Sequence, residues 1–162
     1  MGIVNPPWAA KAYTYIGLRE TPGPKHNHVI LNWLAKLGAW WKDDETAWCG
    51  TFVAHCLQSM GEPIPVHWYR AKSWANYGSN LSRQKLAPGA ILVFDRSGGG
   101  HVGFYVGEDD NYYHVLGGNQ GNAVSVMRLA KSRCVASRWP KDVPVIGGPV
   151  RMAGGVKSTN EA

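Results

Sequence analysis

The chain has 162 residues, enough for one compact domain with its own core and too few for two. Hydrophobic residues make up 44% of it and charged ones only 17%, which excludes a disordered chain, and the eight Trp and seven Tyr exceed what such a core requires. The formal net charge of +6 favours an anionic partner, which by charge alone is equally nucleic acid, an anionic membrane surface or anionic wall polymer.

The opening "MGIVNPPWAAKAYTYIG" has no basic segment followed by an unbroken apolar one, so synthesis in the cytoplasm without a Sec signal is expected. No apolar run reaches the length of a membrane span, and no stable membrane association is expected. Pro7 opens a first predicted helix, with Trp8, Ala9, Ala12, Tyr13 and Ile16 at helical spacing until "ETPGPKHNH" interrupts it with Glu20 and two histidines. A second helix is predicted over 29–37, with Gly38 as its C-cap. After the polar "KDDET", a third opens near Trp48: Cys49, Phe52, Val53, Cys56, Leu57 and Met60 fall on one face, and Gly61 ends it. Cys49 and Cys56 are separated by about 10 Å of helical rise, too far for a disulfide. Three free thiols, and a reducing compartment, are the expectation.

The next segment is Pro-rich and then weakly helical, with Trp74 and Tyr77 one turn apart. Beyond Pro88-Gly89 the period changes to that of strands: "AILVFD", "HVGFYVGE", "YYHVLGG", "AVSVMRL" and "VASRWP". Helices first and an antiparallel meander of about five strands afterwards give an α+β fold. Residues 1–140 are read as a single catalytic domain, and 141–162 as a Gly/Pro-rich tail, irregular or mobile.

Cys49 starts the buried stripe at the positive end of its helix, where a thiolate is favoured; Cys56 and Cys134 are read as core residues. A cysteine nucleophile needs a base, and His101, preceded by three glycines and followed two positions on by Gly103, is the candidate. Strand alternation puts Val102, Phe104 and Val106 on the core face and leaves His101, Gly103 and Tyr105 on the other. For a group that orients the base, "YYHVLGGNQGN" offers His114 within the strand and Asn119 or Gln120 at its Gly-Gly end, and alternation alone does not choose among them.

The motifs "WCGTFVAHCL", "PGAILVFDRSGGGHVGFYVGE" and "VLGGNQGNAVSV" resemble, in order and content, the cysteine peptidoglycan hydrolases of the CHAP and NlpC superfamily, particularly small phage and prophage endolysins. The resemblance runs from about Glu20 to Trp139 and implies a papain-like fold with the N-terminal helices packed on the sheet. It implies Cys49 as nucleophile, His101 as general base, and either Asn119 (the CHAP pattern) or His114 (the NlpC pattern) as third member, with Asn119 favoured by the "GGNQ" context. It also implies an oxyanion site at the Cys49 N–H, with Asp44 or Thr46 as helper or merely as helix cap. Trp48, Trp74, Tyr105 and Glu20 are the expected substrate-binding residues, bacterial peptidoglycan the partner, and a monomer without cofactor, metal or nucleic acid the expected form. Two other readings are a zinc hydrolase using Cys49, His101 and His114, and a non-catalytic basic module that binds glycan or nucleic acid.

Overall fold

The computed structural model describes residues 3–21, 26–42 and 47–153. Asp44 and Thr46 lie outside these residues. Among the described residues three α-helices come first, α1 (Pro7–Tyr13), α2 (His28–Leu37) and α3 (Cys49–Ser59). Six strands follow: β1 (Ser79–Asn80), β2 (Ile91–Arg96), β3 (Gly99–Glu108), β4 (Tyr112–Gly117), β5 (Ser125–Ala130) and β6 (Cys134–Trp139). The fold is α+β, as the change of period predicts, with the helices packed on an antiparallel sheet.

Local chemistry sets the helix ends. Pro7 takes the first position of α1, where its missing N–H costs nothing. The Asn27 side chain caps α2 by accepting from the N–H groups of Val29 and Ile30, and Gly38 ends it in the left-handed conformation, φ 81°. In α3 every residue from Cys49 to Leu57 is buried, because α1 and α2 cover one side and β3 and β4 the other.

The strand order is β1-β6-β2-β3-β4-β5. The meander is therefore only part of the sheet: β2 to β5 run in sequence, and β6 returns to the free edge of β2, where the two-residue β1 completes six strands instead of five. β1 shows no alternation in sequence because it is two exposed polar residues held by Trp139 and Arg138.

β3 lies between β2 and β4 and packs against α3 and the 3₁₀ segment Ala71–Asn76, so it is buried from His101 through Gly107. The one-sided alternation predicted for it is overturned: His101 and Tyr105 are as buried as Val102 and Phe104. The register of β3 on β4 shifts between Tyr105 and Gly107, and the Gly117-Gly118 pair lies at the end of β4 instead. Of the Gly/Pro-rich tail, 141–153 is irregular but docked, with Glu108 N donating to Val150 O at 2.8 Å and Val150 N to Tyr105 Oη at 3.0 Å. Among the described residues no helix is long and apolar enough to cross a membrane.

Candidate active site

Cys49 is the first residue of α3, preceded by Trp48 at the N-cap position, so its backbone N–H and that of Gly50 have no partner within the helix. The helix start is fixed from three directions. The Trp48 indole N–H donates to Glu20 Oε1 at 3.2 Å, and Trp33 lies 6.3 Å from the Trp48 ring. The Trp48 ring also rests on Gly118, where a β-carbon would come within 2.9 Å of it and 2.6 Å of Phe52. Finally the Trp68 carbonyl seats against Gly50, where a β-carbon would stand 2.3 Å from that oxygen. Gly50 and Gly118 are thus where backbone approaches backbone and ring closely enough to exclude a side chain.

The Cys49 thiol is 5% exposed. Burial pushes its acidity down, raising the pKa, while the N–H groups of Val102, Gly50 and Cys49 itself and the charge of Arg96 oppose that shift. The Val102 contribution places the sulfur beside the residue that follows His101. His101 is fully buried, and burial holds its imidazole down to about 4, with Gln120 opposing and the charges of Arg96 and Arg133 assisting. Burial thus disfavours the charged form of both the thiol and the imidazole.

The side chain that hydrogen-bonds to His101 is Gln120, not Asn119. His101 Nε2 is 2.8 Å from Gln120 Oε1. The Gln120 amide nitrogen donates to the carbonyls of Val115 at 3.1 Å and Ser125 at 2.7 Å, groups that only accept, so its oxygen is left to accept from the imidazole. That fixes the proton of His101 on Nε2 and leaves Nδ1 as the basic nitrogen, buried and without a hydrogen-bond partner among the described residues. Gly117 makes room for this arrangement, since a β-carbon there would stand 2.5 Å from Gln120 Oε1 and 3.4 Å from His101 Nε2.

Asn119 precedes Gln120 with φ 58°, a conformation Asn tolerates, and its buried Oδ1 has no hydrogen-bond partner among the described residues. The Gly-Gly end does turn the chain into His101, but it presents the next residue. His114 sits elsewhere: it pairs with Gly107, six residues along β3 from His101, or about 20 Å of strand. Its Nε2 is 2.8 Å from Asp109 Oδ2, which also accepts from Arg128 Nε at 2.9 Å. Cys49, His101 and His114 thus do not converge on one point, and no group of three His, Cys, Asp or Glu among the described residues is arranged to hold a metal.

The expected substrate-binding residues also need correction. Trp74 is fully buried and donates to the Trp68 carbonyl at 3.0 Å. Tyr105 is fully buried with its hydroxyl 2.6 Å from Glu108 Oε2, and neither ring presents a face to a ligand. Trp48 and Glu20 form the support under Cys49 already described. Exposed rings lie instead in a cleft of about 750 Å³ bordered by Trp40, Trp41, Val66, Trp68, Tyr69 and Arg70. Trp41 packs 5.8 Å from Trp68 and 5.5 Å from Tyr69, and Trp40, 86% exposed, stands edge-on 5.5 Å from Trp41. The cleft adjoins the start of α3 through Ala47 and through Trp68, whose carbonyl meets Gly50. The adjacent "WW" pair and "HWY" carried the signal for it in sequence.

The family model of the CHAP domain matches residues 41–119, which run from the aromatic cleft through α3, β2 and β3 to the end of β4 and hold both Cys49 and His101. A search of curated proteins gave no match. A helix-borne cysteine, a strand-borne histidine and the family model thus coincide on one stretch: residues 41–119 match the CHAP domain family, consistent with a CHAP/NlpC type of peptidoglycan hydrolase.

Proposed function

We propose that the protein is a wall-lytic, endolysin-like cysteine amidase or endopeptidase in which Cys49, His101 and Gln120 cut an amide bond of bacterial peptidoglycan. The observation that carries this reading is the unpartnered Nδ1 of His101, whose tautomer Gln120 sets, on the residue next to the one whose N–H bears on the Cys49 thiol. As the Cys49 sulfur attacks the carbonyl carbon, His101 Nδ1 takes the thiol proton and then delivers it to the departing amine. The thioester left on Cys49 is hydrolysed by water, which gives its proton to the same nitrogen, and the free thiol is restored. The N–H groups of Cys49 and Gly50 at the start of α3 are the donors for the developing oxyanion.

A neutral amide as third member orients the imidazole without offsetting its charge, which suits a pair whose charged forms burial disfavours and that becomes charged only during attack. The exposed rings of the 750 Å³ cleft seat the wall polymer beside Cys49, since indole faces pack against the C–H faces of sugars. The test is mass spectrometry of fragments released from purified peptidoglycan. A new amino terminus on an intact or shortened stem peptide, with none produced by Cys49→Ala, is the expected result and identifies the bond. No release by the folded wild-type protein overturns the reading.

A further inference from the structure

A second recess, of about 460 Å³, lies against α1, α2 and α3 and shares no residue with the aromatic cleft. Its wall is Tyr15, Trp33 and His55, and Lys11, Lys36 and His28 stand around it. His55 is held in place: its Nε2 is 2.7 Å from Tyr15 Oη, and its ring stacks on Trp33 at 4.9 Å between centroids and 18° between planes. Among the described residues no acidic side chain borders the recess. Neither lysine forms an ion pair with any described residue, and the Lys11 ammonium has only the Tyr15 ring, 5.7 Å away. Two permanent cations and two imidazoles from three helices thus border one recess with no described carboxylate to neutralise them. Burial first, and then the charges of Lys11 and Lys36, hold the His55 imidazole down to about 4.

We propose that this recess binds a phosphate group. Cations on separate helices surround it, an arrangement suited to a tetrahedral anion with oxygens on every side; a planar carboxylate would meet only part of it. The phosphate sits among Lys11, Lys36, His28 and His55, and its negative charge favours the protonated form of His55, so anion and proton bind with mutual reinforcement. The proposal stands apart from the reading of Cys49, and its test needs no activity.

The experiment follows the histidine ring signals by NMR through a pH titration, in inorganic phosphate and in sodium chloride of equal ionic strength. The expected result is a rise of about one pH unit in the His55 midpoint with saturating phosphate, which corresponds to tenfold tighter phosphate binding by the protonated form. His101, on the sheet, serves as the internal control and stays unmoved. In a Lys11→Gln/Lys36→Gln double variant, checked for its fold by circular dichroism, the midpoint rises without phosphate and the phosphate response disappears. Lys36→Gln alone, an exposed change, is expected to halve the response and serves if the double variant is unstable. Chloride acting as well as phosphate, or an unchanged response in the lysine variants, overturns the proposal. Binding of soluble poly(glycerol phosphate) and of phosphatidylglycerol vesicles then separates the sources: lysine-dependent binding of the polymer assigns the site to wall polymer, and of the vesicles alone to lipid headgroups. Failure of both overturns its use on macromolecules.

Discussion

Gln120 Oε1 lies 2.8 Å from His101 Nε2, and the two carbonyls that take the amide protons of Gln120 leave that oxygen no other role. In the proposed mechanism Gln120 is a positioning residue, and removing it should free the imidazole to rotate without removing the base. Gln120→Ala is expected to lower turnover roughly 10- to 100-fold, at or below the low end of a general acid–base contribution. Asn119→Ala and His114→Ala should retain most of the turnover. Gly117→Ala should resemble Gln120→Ala, because its β-carbon takes the space of Gln120 Oε1. Steady-state turnover and melting temperature of the four variants decide it. An inactive, folded Asn119→Ala beside an active Gln120→Ala would return the third place to Asn119.

The sequence carries local signals for Cys49 and His101 and none for the contact between Gln120 and His101, for a physical reason. Cys49 is marked by the boundary between a polar run and an apolar stripe, and His101 by its glycines, both local signals. The choice between Asn119 and Gln120 depends on the backbone after Gly118, where Asn119 takes φ 58° and the chain turns once more before a side chain reaches the imidazole. Strand periodicity ends at Gly117 and says nothing beyond it. Burial misled in a second way. Alternation leaves Tyr105 on the face away from the core, whereas β3, between two strands and under α3, is buried on both faces from His101 through Gly107. The return of β6 to β2 was illegible for the same reason as β1, since both depend on pairing between distant segments.

The three cysteines should separate cleanly. All are free, but only Cys49 stands at a helix start with N–H groups bearing on its sulfur, whereas burial pushes the Cys56 thiol far up in the middle of α3. Cys49→Ala is expected to abolish wall lysis with little change in melting temperature. Cys56→Ala should keep turnover and lose about 1 kcal/mol or somewhat more of stability, the cost of a small core truncation. Activity surviving in Cys49→Ala would exclude thiol catalysis.

Trp40 offers a test of the cleft that the fold cannot confuse, because it is 86% exposed. Trp40→Ala should leave the unfolding free energy within about 0.5 kcal/mol of wild type, as surface changes do. Hydrolysis of intact wall should fall several-fold, while a short soluble stem peptide, which lacks the glycan, is cut at the wild-type rate. Equal loss on both substrates would place Trp40 at the scissile bond instead.

The buried histidines should leave a signature in acid. His55 and His101 are each lowered from 6.5 to about 4, chiefly by burial, so the unfolded chain binds protons at these rings where the folded chain does not. Their stabilising contribution is complete above pH 6.5 and is lost as pH falls toward 4; below that both states are protonated and the slope from these groups ends. For His101, fully buried, the loss amounts to about 3 kcal/mol across that window. Asp109, which Arg128 and His114 hold well below the usual carboxylate range, contributes stability that is lost only as pH falls below its ordinary value of 3.8, so the interval from 6.5 to 4 belongs to the histidines. Melting temperature measured from pH 7 to 4 should decline steeply in wild type and less so in His55→Gln and His101→Gln. Because the neutral His101 ring is the base, the acid limb of turnover measured at saturating substrate should fall near pH 4. A limb near 6.5 would mean that the imidazole is solvated in the working enzyme.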